Sequence, residues 1–244
     1  MTSRSTWIIG WLAAVLAIAA FASLGRWQMA RMHEKQALLA QVEHTLAARQ
    51  PQPLSHAADG RNGENFDWAS GSGRFADAPA VLLDNQMREG RAGVRAYRVF
   101  LPDAAPTTPL LVELGWLPLD SQRTLPGIEQ PPGTLHLDGL LAPPPAGGLL
   151  NAAPQVQPDG TLLATTLQPQ ALASALGQPQ LAARVLKLDP ALPIGHERDL
   201  DVLPNTLPPE KHLGYAVQWF ALALTVLLTA VFLSWRALRR RASP

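Results

Sequence analysis

Three side chains in the stretch KHLGYAVQWF, residues 211–220, stand at spacings that could do chemistry together. With His212 set at 0° on a helix, Tyr215 falls at about 300° and Trp219 at about 340°. One stripe then carries an imidazole beside two aromatic rings, filled out by Ala216 and Ala223. Small residues next to aromatics let another helix or a flat ligand come close, and a neutral imidazole offers one ring nitrogen as a ligand. The same stripe also suits an interfacial aromatic belt with a histidine reaching to the headgroups, which requires no ligand.

Other chemistries find no support. The remaining histidines, His33, His44, His56, His136 and His196, lack the i, i+4 or H-E-x-x-H spacing of a helical zinc site. The chain has no cysteine, which excludes disulfides, iron–sulfur clusters, thiolate copper sites and thiol redox chemistry. No G-x-S-x-G elbow, dinucleotide fingerprint or phosphate loop is present, and no catalytic residue is assigned. The segment GSGRF, Gly71 to Phe75, reads as a bend or bulge in strand-like sequence. Arg88, Arg91, Arg95 and Arg98, with Arg123 further on, form a basic grouping. It reads either as a strand–turn–strand surface paired with Asp84 and Glu89 or as a docking site for carboxylates of a partner or anionic cofactor.

The elements that must position His212 are unusual in composition. Charged residues make up only 16% of the 244, with a net charge of +1, against roughly 25% charged in soluble domains. Apolar residues gather at the ends. Trp7 to Leu24 carries no charge, and at about 18 residues it meets the lower limit for crossing a hydrocarbon core. Leu213 to Trp235 carries none either, and about 23 residues is ample. Ala20-Phe21-Ala22 leaves a cleavable signal peptide as the alternative for the first segment. Arg236, Arg239, Arg240 and Arg241 follow the second segment and Arg4 precedes the first, so both tails are expected in the cytoplasm. The loop from Gly25 to His212 is long enough to be exported whatever its charge. The expected order is a cytoplasmic tail 1–6, a membrane helix 7–24, a juxtamembrane helix 25–49, an exported domain 50–212, a membrane helix 213–235 and a basic tail 236–244. Such short tails leave no space for a signalling output domain.

Within the loop, GRWQMARMHEKQALLAQVEHTLAAR lacks proline and continues the first helix, with Trp27, Arg31, Glu34 and Leu38 on one face. QPQPLSHAADGRNGE ends it. From Phe66 to Asp189 short alternating runs take over. In TLHLDG, Leu135 and Leu137 oppose His136 and Asp138; in RVLKLD, Leu186 and Leu188 oppose Lys187 and Asp189. VRAYRVFL and PLLVELGW are further strands, PPPAGG (Pro143 to Gly148) is a loop, and PQALASALG (Pro169 to Gly177) is one short helix. The expected fold is two transmembrane helices flanking an exported α+β domain with a small, mainly antiparallel sheet or partly open barrel.

Four motifs in order resemble the Surfeit locus protein one family. They are LGRWQMARMHEKQALL (Leu24 to Leu39), LLDNQMREGRAGVRAYRVFLP (Leu82 to Pro102), LLVELGWLP (Leu110 to Pro118) with RTLP after it, and PEKHLGYAVQWFALA (Pro209 to Ala223). The chain departs from the pattern in Glu113-Leu114-Gly115-Trp116, where a basic residue usually precedes the Gly-Trp. The resemblance implies an assembly factor for haem-copper cytochrome c oxidase in a bacterial inner membrane, assisting insertion of haem a into the catalytic subunit. It implies that His212 ligates the haem iron with Tyr215 and Trp219 flanking the macrocycle. Trp27, Gln28, Arg31 and Lys35 carry over as partner-binding residues, Trp27 and Arg31 also contacting haem. Partners so implied are the oxidase catalytic subunit, haem a synthase and the lipid bilayer, with no nucleic acid. A membrane-anchored scaffold that stabilises an oxidase intermediate without a cofactor is the alternative.

Overall fold

Proline and glycine are spaced closely through the middle of the chain, so only its ends can form long helices. The computed structural model describes residues 2–104, 108–145, 152–203 and 206–242. Helix α1 runs unbroken over Thr2–Ala48, joining the first apolar run to the amphiphilic segment after it. It stops where Arg49 turns left-handed (φ 41°) ahead of Gln-Pro, since the residue before a proline avoids helical geometry. The last helix of the chain, α3, spans Pro209–Ala242, with Pro209 opening it and Glu210 in its first turn. Both choices favour a helix start. The helix therefore begins ahead of the apolar run, and His212 lies inside its first turn. Both helices are long and apolar enough to cross a membrane. The chain divides into two compact units, one of Met1–Ala40 with Thr206–Pro244, the other Gln41–Asn205.

The second unit is a mixed sheet. Its strands are β1 (Gln52–Pro53), β2 (Asp67–Phe75), β3 (Val81–Arg88), β4 (Arg91–Pro102), β5 (Leu110–Pro118), β6 (Thr134–Ala142), β7 (Gln155–Val156), β8 (Leu162–Ala164) and β9 (Val185–Leu188). Helix α2 (Pro169–Ala175) is the short helix read from PQALASALG. The strand order is β1-β2-β6-β9-β5-β4-β3-β8-β7, antiparallel except at β1–β2, β3–β8 and β5–β9. β2 also pairs with β4, but only over Gly73–Phe75, so the sheet curls without becoming a clear barrel. Pro143–Pro145 have no regular structure; Ala146–Gly148, the rest of the expected loop, lie outside the described residues.

One expectation needs correction. GSGRF is not a bulge, because β2 pairs in unbroken register with β6 from Asp67 to Arg74. Gly73 is there for proximity: a Cβ would lie 2.2 Å from the Leu101 carbonyl and 2.7 Å from the Phe100 ring. The alternation of RVLKLD does not separate a buried from an exposed face, since all four β9 residues are buried, Lys187 included. Both sheet faces are covered, one packing Leu82, Phe100, Val112 and Leu186 and the other packing Val81, Leu111 and Val185 beneath Leu172 and Leu176 of the α2 region. A strand buried on both faces can carry a charge only if it is paired inside.

Candidate functional site

His212 is buried on α3 at 7% exposure. Its Nδ1 lies 2.7 Å from Oε1 of Gln28 on α1. A carbonyl oxygen can only accept, so Nδ1 carries the proton and donates. That leaves Nε2 as the bare lone pair, and Nε2 is buried with no partner among the described residues. The other buried side-chain atoms in this condition are the Nε of Arg95, Arg98 and Arg184. Those are guanidinium donors, which cannot ligate a metal. Only the imidazole nitrogen can. An imidazole whose second nitrogen donates to a carbonyl has its tautomer and ring direction fixed, the arrangement common to metal-ligating histidines.

The remaining stripe separates. Ala216 and Ala223 are buried, Trp219 is half-buried, and Tyr215 is 42% exposed. Trp219 stacks on Phe21 of α1 with ring centroids 5.7 Å apart and 26° between planes. Gly25 permits this approach, for a Cβ there would meet the Phe220 ring at 2.8 Å. The structure thus brings His212 and Trp219 to the α1-facing side and leaves Tyr215 outward. On α1 the four motif residues also divide. Gln28 holds His212, and Lys35 donates to the Leu207 carbonyl. Trp27 is 55% exposed, and exposed Arg31 pairs with Glu34 at 2.7 Å. The Gln28–His212 pairing joins residues 184 apart, which no local pattern announces.

The central arginines are mostly consumed inside the sheet unit. Arg88 pairs with Glu197 at 2.9 Å and with Asp199, and Arg98 donates to the Ala78 and Ile128 carbonyls. Arg123 pairs with Asp84 at 2.6 Å, and Arg91 approaches Glu89 and Glu197 at 3.8 and 3.9 Å. Arg95 is buried and pairs with buried Glu113. Lys187 donates to both Glu113 oxygens at 3.2 and 3.0 Å, and the Tyr97 hydroxyl donates at 3.0 Å. Burial alone would raise the Glu113 pKa, but Lys187 and Arg95 together hold it below the ordinary carboxylate value. Burial and the same carboxylate push the Tyr97 phenol well up. This network was not legible from spacing, since its members come from β4, β5 and β9 and only folding joins them. Next to it, Leu114 is the extra residue of a bulge between the pairs Ala96–Gly115 and Tyr97–Glu113, with Gly115 at φ 126°. The bulge lets His196 and Glu197 pair with β5, through His196 N to Leu114 O and Trp116 N to Glu197 O, both 2.7 Å. The Trp116 indole donates to the Gln86 carbonyl at 2.9 Å. The Gly-Trp motif is therefore structural.

Comparison with known families finds the SURF1 family model matching residues 15–224, a span that holds Gln28, Glu113 and His212. The chain belongs to the SURF1 family. SURF1 proteins are assembly factors for cytochrome c oxidase rather than enzymes, and the two long apolar helices accord with a membrane protein. No individually curated protein matches the chain significantly.

Proposed function

We propose that this SURF1 protein binds haem a through His212 and presents it to the catalytic subunit of cytochrome c oxidase. The observation that carries the reading is the buried, unpartnered Nε2, held in its metal-ligating tautomer by Gln28. A ferric or ferrous haem iron takes a neutral imidazole as axial ligand. Nε2 is covered by protein atoms in this state, so side chains around it must part for iron to reach it, which suits a transient carrier more than a permanent haem protein. Trp219, two turns further along α3 and stacked on Phe21, supplies an apolar ring on the same face as the histidine; Tyr215, exposed, closes over a macrocycle only from the outer side. Lys211 next to His212, and Arg31 on α1, are the cations within the helix unit that would meet propionates.

The outward-facing Trp27 and Arg31 support contact with a partner membrane helix, the oxidase subunit or haem a synthase. Gln28 and Lys35 serve that contact indirectly by fixing α1 against residues 207–212. The arginines after Trp235 favour a bacterial inner membrane with both termini cytoplasmic and the sheet unit periplasmic.

The test is the haem spectrum of full-length protein purified from cells that make haem a. His212→Gln keeps interfacial polarity but is a poor iron ligand, and should lose or shift the Soret band and yield oxidase deficient in haem a. Gln28→Leu should weaken the band by releasing the tautomer. A normal spectrum and normal oxidase with His212→Gln would refute the assignment. A wild type with no haem that still holds an oxidase intermediate would favour a cofactor-free scaffold, for which the exposed Trp27 is the supporting feature.

A further inference from the structure

At the far end of the helix unit from His212, α1 and α3 enclose an apolar groove of about 400 Å³. Gly10, Trp11 and Ala14 form one wall; Thr229, Ala230 and Ser234 form the other. Its named polar groups are already consumed. Thr229 donates to the Thr225 carbonyl and Ser234 to the Ala230 carbonyl, each at 2.8 Å, while the Trp11 indole donates to Ser234 Oγ at 2.9 Å. The hydroxyl donors are spent on the helix's own carbonyls, and what remains is a mainly apolar surface that takes hydrocarbon.

Beyond the groove the same face of α3 is charged. Arg236 and Arg240 follow groove-lining Leu233 at spacings of three and seven residues, which continues the same helix face. Both are exposed, and neither has a carboxylate partner among the described residues. Arg239 instead lies over the Trp235 ring at 3.9 Å. An apolar slot running into a pair of unneutralised guanidinium groups matches a molecule with a hydrocarbon tail and a phosphodiester head. A third helix fits less well, because Trp7 and Trp11, with ring centroids 6.2 Å apart, stand where its backbone would need to come close. A flexible acyl chain passes beside them.

We propose that this groove is a binding site for an anionic phospholipid, one acyl chain lying between Gly10 and Ala230 and the phosphate meeting Arg236 and Arg240. The site requires membrane insertion of the helices but not haem binding, so it stands or falls apart from the function proposed above. It gives the helix pair a lipid filler where small residues leave it open, at the end opposite the proposed haem ligand.

The experiment is native mass spectrometry of the full-length protein from micelles containing equal phosphatidylglycerol and phosphatidylcholine. Wild type should retain one phosphatidylglycerol in clear preference. Arg236→Gln with Arg240→Gln touches no packed residue and should lower the preference about tenfold or more, two cations near a headgroup being removed. Gly10→Leu should reduce retention of both lipids, since a Cβ at Gly10 meets nothing within 4 Å and the added side chain occupies the groove. Ala230→Leu, filling from the other wall, must act in the same direction. Equal retention of the two lipids by wild type, an unchanged ratio in the double arginine variant, or undiminished binding when both walls are filled would each overturn the proposal. A protein dimer abolished by Gly10→Leu would overturn it too, by assigning the groove to a second copy.

Discussion

Replacing Glu113 by leucine should weaken the sheet unit more than most single substitutions. The carboxylate is 2% exposed and accepts from Arg95, Lys187 and Tyr97. Leucine is close in volume, so packing changes little. What changes is that Arg95 and Lys187, both about 5% exposed, keep their charge with no anion between them; among the described residues only Asp199, 3.9 Å from Arg95, remains near. Breaking a buried ion pair by removing one partner costs roughly 3–5 kcal/mol. For a unit of this size that corresponds to a Tm lower by about 6–20 °C. Glu113→Gln keeps an acceptor for Tyr97 and Lys187 and should lose less. The assay is thermal unfolding of the full-length protein in detergent, followed by the β-sheet circular dichroism signal. The carboxylate also predicts a pH dependence. Its folded pKa lies below the ordinary value of 4.5, so its stabilisation is fully present above pH 4.5 and is lost as pH falls through the folded value. The difference in Tm between wild type and Glu113→Gln should therefore shrink with acidification below pH 4.5. A Glu113→Leu protein with unaltered Tm at neutral pH would refute the reasoning, because it would mean that the two cations find water or other anions without loss.

Gly139→Ala should lower the same Tm, since its Cβ would lie 2.2 Å from the Lys187 carbonyl and force β6 from β9; overpacking of this kind costs about 1–3 kcal/mol or more. Gly127→Ala, with nothing within 4 Å, serves as the matched control and should leave it unchanged. Arg184→Leu should open the segment before β2 without unfolding the sheet. Buried Arg184 pairs with Asp67 and donates to the His56 and Asn65 carbonyls, so its loss should make Arg61, exposed in the wild type, a fast tryptic site. Equal cleavage rates in variant and wild type would show that the segment is held by other contacts.

Much of the architecture could be read from sequence because its signals are local. Charge-free runs, the proline-free stretch after Gly25 and the alternation of TLHLDG each report on a few neighbouring residues. Leu137 is buried and His136 exposed on β6 as the alternation requires. The short helix was legible from Pro169 and Gly177, whose φ of 64° ends it. What failed was inference about the far side of a strand. Alternation assigns Lys187 to a face without saying whether that face is covered, and its partner Glu113 on β5 lies 74 positions away. The candidate site shows the same limit. His212 and Trp219 were visible as a stripe, but helical spacing gave Tyr215 equal standing, and only the position of α1 distinguishes buried from exposed members. Gln28 was assigned to a partner through the resemblance, while in the structure its carbonyl faces His212.

Glu113 belongs to folding and not to recognition. In this chain the position is flanked across the ladder by Tyr97 on one side and Lys187 on the other. Arg95 and Lys187 make the interior there doubly cationic before residue 113 is counted. A basic residue at 113 would place three like charges in a dry region, where each resists burial without a counter-ion. A chain with a cation at this position must therefore carry fewer cations at 95 and 187, or more acids facing them. The identity at 113 answers to the charge balance of the sheet around it. A side chain this deeply buried and fully hydrogen-bonded cannot also be offered to a partner or a ligand. The His212 lone pair in the helix unit, by contrast, is buried but unsatisfied among the described residues.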